Sequence, residues 1–130
     1  MSAPSFPKIM ETNNLGDLLK YEAPNLYSRD LATVAAGQNL LLGAIVGRDS
    51  TTGKLKVLDP AATDGTENAV GVLAADVDAT LIDREDALLI TRHAIVATHA
   101  LVWPVAITLT EKSTAIAQLE ARGVLVRIAA

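Results

Sequence analysis

Hydrophobic and polar residues follow two different patterns along the chain, and the change lies near residue 31. From Leu31 onward, short aliphatic runs alternate with turns rich in Gly, Asn, Asp and Pro, which is typical of β-strands. The clearest alternation is Lys54-Leu55-Lys56-Val57, in which every second residue is apolar, as in a half-buried strand. The predicted strands are Leu31–Ala36, Leu40–Arg48, Lys54–Val57, Ala69–Val77, Ala87–His99 and Val124–Ile128.

Turn and helix signals complete the predicted fold. The turn residues Asp49–Gly53 join two of the strands into a hairpin, and Asp59–Asn68 reads as a polar loop. One helix is predicted over Thr110–Ala121, with Thr110 as its N-cap and Gly123 as a left-handed stop. The fold class is therefore α+β and mostly β: a small compact β-rich domain over residues 31–130, barrel-like or sandwich-like, with one short C-terminal helix.

Residues 1–30 form an extended N-terminal arm with a different composition. The arm holds three of the four aromatic residues and three of the five prolines, without a sustained helical or strand period. A short helix near Leu15–Tyr21, capped by Asn14, fits the pattern. The arm is either a flexible tail or a binding arm, and its aromatics favour binding because solvated tails are usually depleted in them. We expect the apolar anchors of the arm not to be buried within their own subunit. The candidates are Phe6, Ile9, Leu15, Leu18, Tyr21 and Tyr27.

Composition and charge narrow the range of partners. The 130 residues fit one domain, and a hydrophobic content of 50% with 20% charged residues predicts a packed core. The net charge is −4 and the basic residues are scattered, which argues against a nucleic acid or a membrane surface as partner. Cysteine is absent from the sequence, which excludes disulfides and thiolate chemistry. The N-terminus lacks the apolar segment of a signal peptide, so export by that route is not expected.

Motifs for catalysis or cofactor binding are missing from the sequence. It contains no phosphate-binding glycine loop, nucleophile elbow or zinc-protease motif. On one strand, His93 and His99 would share a face about 20 Å apart, too far to chelate one metal. The acidic stretch from Asp76 to Asp86 lacks the spacing of a calcium loop, and a solvated loop is the favoured interpretation. We therefore predict no enzyme, no cofactor and no metal site.

Trp103 and Pro104 are the remaining candidates outside the arm. Tryptophan is common at binding hot spots, but a lone Trp in an aliphatic domain more often packs in a core or between subunits. We favour core or intersubunit packing for this pair, which in a trimer would be packing between its copies.

The order of these segments resembles a known family. Gly37-Gln38-Asn39-Leu40 leads into Gly43–Asp49 and Gly53-Lys54-Leu55, and Ala69-Val70-Gly71-Val72-Leu73-Ala74 follows the polar loop. Val102-Trp103-Pro104, the helix and the closing strand come last. This succession is similar to the head decoration proteins of lambda-like tailed bacteriophages, and the similarity covers roughly residues 31–130.

The resemblance implies a specific role in the virion. Members form homotrimers on the outer surface of the expanded capsid at local three-fold positions, where they stabilise the shell against packaged DNA. Their arms become ordered by pairing with strands of the major capsid protein. The chain would then act on the virion exterior and be present in the host cytoplasm during assembly. A tail or fibre component is the alternative, and a small enzyme or ligand-binding barrel would need a pocket with convergent polar groups.

Overall fold

The computed structural model describes residues 14–24 and 28–128, and Phe6, Ile9 and Tyr27 lie outside this range. The described residues form a mostly β structure, as the sequence predicted. The α-helices are α1 (Leu15–Leu18) and α2 (Leu109–Ala121), and a 3-10 turn covers Thr98–Ala100. The strands are β1 (Leu19–Glu22), β2 (Arg29–Val34), β3 (Gln38–Leu40), β4 (Ile45–Arg48), β5 (Leu55–Val57), β6 (Gly71–Leu73), β7 (Val77–Ala79), β8 (Arg84–Ile90), β9 (Ala94–Ala97) and β10 (Val124–Arg127).

Five strands close into a barrel in the order β2-β5-β4-β6-β8. The predicted hairpin is confirmed: β4 and β5 are antiparallel, with Val46 opposite Val57 and Arg48 opposite Leu55. Strand β2 closes the ring because it pairs antiparallel with β8 and parallel with β5. Closure leaves no free sheet edge within this barrel, and its aliphatic side chains fill the interior.

A three-stranded sheet and helix α2 enclose the second part of the core. In this sheet β9 is central, with β1 antiparallel on one side and β10 parallel on the other. Helix α2 buries Ala115 and Leu119 against this core. The Gln118 side chain also accepts a 2.8 Å hydrogen bond from the Ala69 amide, which fixes the helix to the residues just before β6. Strands β3 and β7 form a separate two-stranded ribbon.

The predicted helix is confirmed, but its N-cap lies two residues earlier than expected. Thr108, not Thr110, is the cap: its hydroxyl accepts from the Glu111 amide at 3.1 Å, and the Glu111 carboxylate accepts from the Thr108 amide at 2.9 Å. Thr108 has the extended backbone that a cap requires. Gly123 ends the helix with a φ of 87°, as predicted.

Three long predicted strands are wrong because the chain leaves the strand conformation within them. Ala69–Val77 contains β6 but only the first residue of β7, and residues 74–76 between them belong to neither strand. Ala87–His99 is interrupted by His93, whose φ of 47° lies in the left-handed region that ends a strand. Leu40–Arg48 is interrupted at Gly43, where φ is 91° and a Cβ atom would lie 2.2 Å from the Ala100 carbonyl oxygen. Only glycine fits there, since the Leu101 segment crosses closely behind it.

None of the helices within the described ranges combines the length and the apolar character needed to cross a membrane.

Candidate partner-binding surfaces

The segment from Asn14 to Glu22 packs on the body of the protein and forms the root of the predicted arm. Asn14 begins α1 with a capping box, since its side chain accepts from the Asp17 amide at 3.0 Å and Asp17 bonds back to the Asn14 amide. The helix prediction is confirmed in place, but the helix ends at Leu18. The chain then continues as β1, where Tyr21 lies opposite Ile95 of β9.

The structure distributes the three described arm candidates differently. Leu18 is completely buried in the main core, and Leu15 packs against the same cluster. Leu18 is thus sheltered within its own subunit, unlike our expectation for the arm, because β1 returns the chain onto β9. The Tyr21 side chain is 54% exposed and lies on the root. Capsid contact by any of these residues stays a prediction.

Polar contacts lock the root to the barrel. Ser28 is buried, and its hydroxyl donates to the His93 carbonyl at 2.8 Å while it accepts from the Ala23 amide at 3.0 Å. Arg29 donates two hydrogen bonds to the Glu22 carboxylate, at 2.8 and 2.5 Å. These bonds lower the pKa of Glu22 below its ordinary value of 4.5, against the smaller opposing effect of burial. The root is therefore held by side chains as well as by strand pairing.

A shallow groove of about 370 Å³ lies beside Trp103 and Pro104. Trp103 is half-buried against the main core, and Lys112 places its Nζ 5.7 Å from the ring centroid. The next residue, Val105, is 98% exposed, and Leu41, which also lines the groove, is half exposed. Trp103 therefore packs against the core and also lines the surface groove. Trimer packing at this position stays a prediction.

Sequence reasoning missed an exposed apolar tip between β7 and β8. Leu81 is 89% exposed and Ile82 67% exposed, although both are flanked by polar and acidic residues. Asp83 fixes the base of this loop by accepting from the Ala36 amide at 2.8 Å and pairing with Lys54. These contacts lower the pKa of Asp83, with the Lys54 hydrogen bond as the main cause. The available signal in the sequence was two adjacent apolar residues, Leu81 and Ile82, inside a stretch of charged residues.

The histidines and carboxylates have separate positions. His93 lies between β8 and β9, and His99 lies in the 3-10 turn, so the shared strand that we expected does not exist. Asp76 accepts from the Leu42 amide at 2.7 Å, and Asp78 accepts from Thr80. Within residues 14–24 and 28–128, no three His, Asp or Glu side chains are grouped closely enough to hold a metal ion.

Comparison with known protein families gives a match that covers most of the chain. A family model described as bacteriophage lambda head decoration protein D matches residues 8–124, a span that includes the root, the barrel and helix α2. The chain belongs to the head decoration protein family. Members of this family are structural proteins of the phage capsid, so the virion head is the location and capsid decoration the role. A search of curated proteins finds no match.

Proposed function

We propose that this head decoration protein binds as a homotrimer to the outer surface of the expanded capsid, at local three-fold positions. There it would stabilise the shell against the pressure of packaged DNA, with the major capsid protein as its partner. The observation that carries this proposal is the family match over residues 8–124. The protein would be present in the host cytoplasm during assembly, and neither catalysis nor a cofactor has a part in this role.

The arm supplies the first contact with the shell in this proposal. An extended peptide can add a strand to an exposed sheet edge, where main-chain hydrogen bonds give affinity and alternate side chains give specificity. The proposed arm covers residues 1–30, and within it Asn14–Glu22 is the root that is fixed to the body. The anchors available to a partner would then be Phe6, Ile9, Tyr21 and Tyr27, whereas Leu18 holds the root in place.

The energies explain why a trimer would matter. Ordering the backbone of the arm costs about 1–2 kcal/mol per residue, and each fully buried apolar anchor returns about 1.5–3 kcal/mol. One arm would therefore bind only marginally. Three arms on one particle act at high effective concentration, which raises avidity by roughly 10²–10⁴. Binding that prefers the expanded shell stabilises that shell by mass action.

A three-fold ring needs two different patches that fit each other, because its interface is heterologous. The groove at Trp103 and Pro104, with the exposed Val105, offers a concave apolar patch. The exposed Leu81 and Ile82 at the tip between β7 and β8 offer a second apolar patch on the same chain. We propose that the groove of one copy receives the tip of the next.

Sedimentation with purified shells tests the proposed function. The protein is mixed with expanded and with unexpanded capsids and each mixture is separated on a density gradient. We expect co-sedimentation with expanded capsids and little with unexpanded ones. Failure to co-sediment with either would overturn the proposal. Electron microscopy of virions then separates the head from the alternative location, since density on tails or fibres would favour the alternative.

Truncation tests the arm. Removal of residues 2–13 leaves Asn14, the capping box and Leu18 in place, so the trimer should fold normally. We expect capsid binding by this variant to fall by on the order of 10² or more, since the part of the arm that precedes the root, with Phe6 and Ile9, is lost from all three copies together. A deletion that continued beyond Leu18 would also remove a core residue and β1, and would confuse folding with binding. Undiminished binding after the shorter deletion would contradict the arm proposal.

A further inference from the structure

A polar recess of about 320 Å³ opens where the barrel meets the three-stranded sheet. Arginines from three separate elements line it: Arg48 at the end of β4, Arg92 just after β8, and Arg122 at the C-terminal end of α2. The described lining contains a single carboxylate, Asp30 of β2. The recess is thus a local concentration of positive charge on a chain whose net charge is −4.

The one carboxylate is already engaged. Arg92 donates to both oxygens of Asp30, at 3.1 and 2.5 Å, and the Thr91 hydroxyl donates at 3.2 Å. The Arg92 hydrogen bonds are the main cause that lowers the pKa of Asp30, and the charges of Arg92 and Arg48 add to it, so Asp30 stays ionised. Arg48 also uses one guanidinium nitrogen for the Gly53 carbonyl, at 2.8 Å. Within the described ranges, the guanidinium of Arg122 has neither a hydrogen bond nor an ion pair, so the single carboxylate of the lining faces three arginines and leaves Arg122 unpaired.

The wall of the recess is held in an unusual backbone conformation. His93 has a φ of 47°, which costs a non-glycine residue free energy and persists only where the surroundings enforce it. The His93 carbonyl accepts from the buried Ser28 hydroxyl at 2.8 Å and from the Ala23 amide at 3.1 Å. Its ring and backbone also approach Gly123, next to Arg122. The wall is therefore fixed before any ligand arrives.

We propose that this recess binds a side-chain carboxylate from an acidic segment of the capsid protein. The identity of the partner rests on the proposed function, whereas the carboxylate chemistry follows from the recess itself. The planar guanidinium fork matches a carboxylate through two parallel hydrogen bonds. A nucleic acid fits less well, because an acidic chain repels an extended polyanion while a single carboxylate needs only the recess. The recess would give each subunit a shell contact separate from the arm.

Equilibrium binding of full-length variants to expanded capsids tests this proposal. Arg122→Gln removes the unpaired guanidinium, and Arg127→Gln is the matched control, since Arg127 is another exposed arginine and lies at the end of β10, outside the recess lining. We expect Arg122→Gln to weaken binding at least about tenfold and to reduce its salt dependence. Arg127→Gln should bind as the wild type does. Equal binding by the two variants would overturn the proposal.

A second measurement separates failure of the recess from failure of the proposed function. Should the wild type bind no capsids, the proposed function fails, and the recess is tested with a hexaglutamate peptide followed by NMR. Shifts of the Arg48 and Arg122 side-chain resonances, lost in Arg122→Gln, would support the carboxylate site. No shifts at these arginines, or equal shifts with inorganic phosphate at the same concentration, would overturn it.

Discussion

Gly43 and Gly53 share a left-handed backbone but differ in what surrounds them. At Gly43 an added Cβ would lie 2.2 Å from the Ala100 carbonyl oxygen, whereas at Gly53 it would meet nothing within 4 Å. We expect Gly43→Ala to lower the free energy of unfolding by about 2–4 kcal/mol, because strain and a backbone clash add. Gly53→Ala should cost only the strain, about 1–2 kcal/mol. Urea denaturation measures both, and equal losses would show that the close crossing behind Gly43 is not rigid.

Single residues also mark where sequence reasoning works and where it fails. Gly123 was predicted correctly, because a glycine after a helical run is a local signal for a left-handed stop. His93 gave no such signal, since its strained backbone is enforced by Ser28, 65 positions away along the chain. Leu18 was misjudged for a similar reason: its shelter comes from β9 and the distant core. Features set by neighbouring residues can be predicted from sequence. A backbone conformation or a burial that depends on residues far along the chain cannot.

Helix α2 offers a direct test of which threonine is its cap. Thr108→Ala removes the hydroxyl that accepts from the Glu111 amide, and should destabilise the protein by about 0.5–2 kcal/mol. Thr110→Ala lies one position inside the helix, where alanine is favoured, and should be neutral or slightly stabilising. Thermal unfolding of the two variants is the measurement. A larger loss for Thr110→Ala would restore the cap that the sequence predicted.

The ion pair between β1 and β2 predicts a pH dependence at the arm root. Arg29 lowers the pKa of Glu22 below 4.5, so the unfolded state binds more protons as the pH falls below that value. The stability contributed by the pair is present above about pH 4.5 and is lost as the pH falls through the folded-state pKa.

We therefore expect the unfolding free energy of the wild type to fall more steeply than that of Glu22→Gln between about pH 5 and about pH 3. Asp30 and Asp83 also have lowered pKa values, but they titrate in both proteins and cancel from the comparison. Glu85→Gln, on the exposed start of β8, is the control and should keep the wild-type slope. If the unfolding free energies of the wild type and Glu22→Gln depend on pH in the same way, the ion pair between Glu22 and Arg29 does not stabilise the root.

The sequence predicted the elements that have strong local patterns, but it predicted only some of the pairings between strands. The β4–β5 hairpin follows from the turn residues Asp49–Gly53 and the alternation at Lys54–Val57. Strand β1 was predicted to be part of an arm because residues 1–30 show no sustained strand period, and its pairing partner β9 lies far away along the chain. The closing contacts of the barrel, from β2 to β5 and β8, join segments far apart along the chain. No window of sequence contains that information.

At the scale of the whole molecule, the proposed trimer depends on the groove and the tip. Val105→Asp and Leu81→Asp each place a charge on one of the two apolar patches, and we expect both to shift trimers toward monomers. Ile128→Asp is the control, because Ile128 is equally exposed but follows β10 and lines neither patch. Sedimentation equilibrium measures the change, with the 13.6 kDa chain as the unit of mass. A trimer that tolerates both substitutions would place its interface elsewhere.

The attachment of the root to β9 has a mechanical consequence. Internal pressure on the shell would pull on a protein that is bound to neighbouring capsid subunits. If the arm is the bound segment, the force would enter the described part of this protein at Asn14. Force along the chain reaches Leu18, whose buried side chain resists withdrawal, and then the ladder between β1 and β9. Since β9 is also hydrogen-bonded to β10, three strands would share the force before it reaches the barrel. We therefore expect the root to detach first, beginning at Asn14, while the barrel keeps its structure.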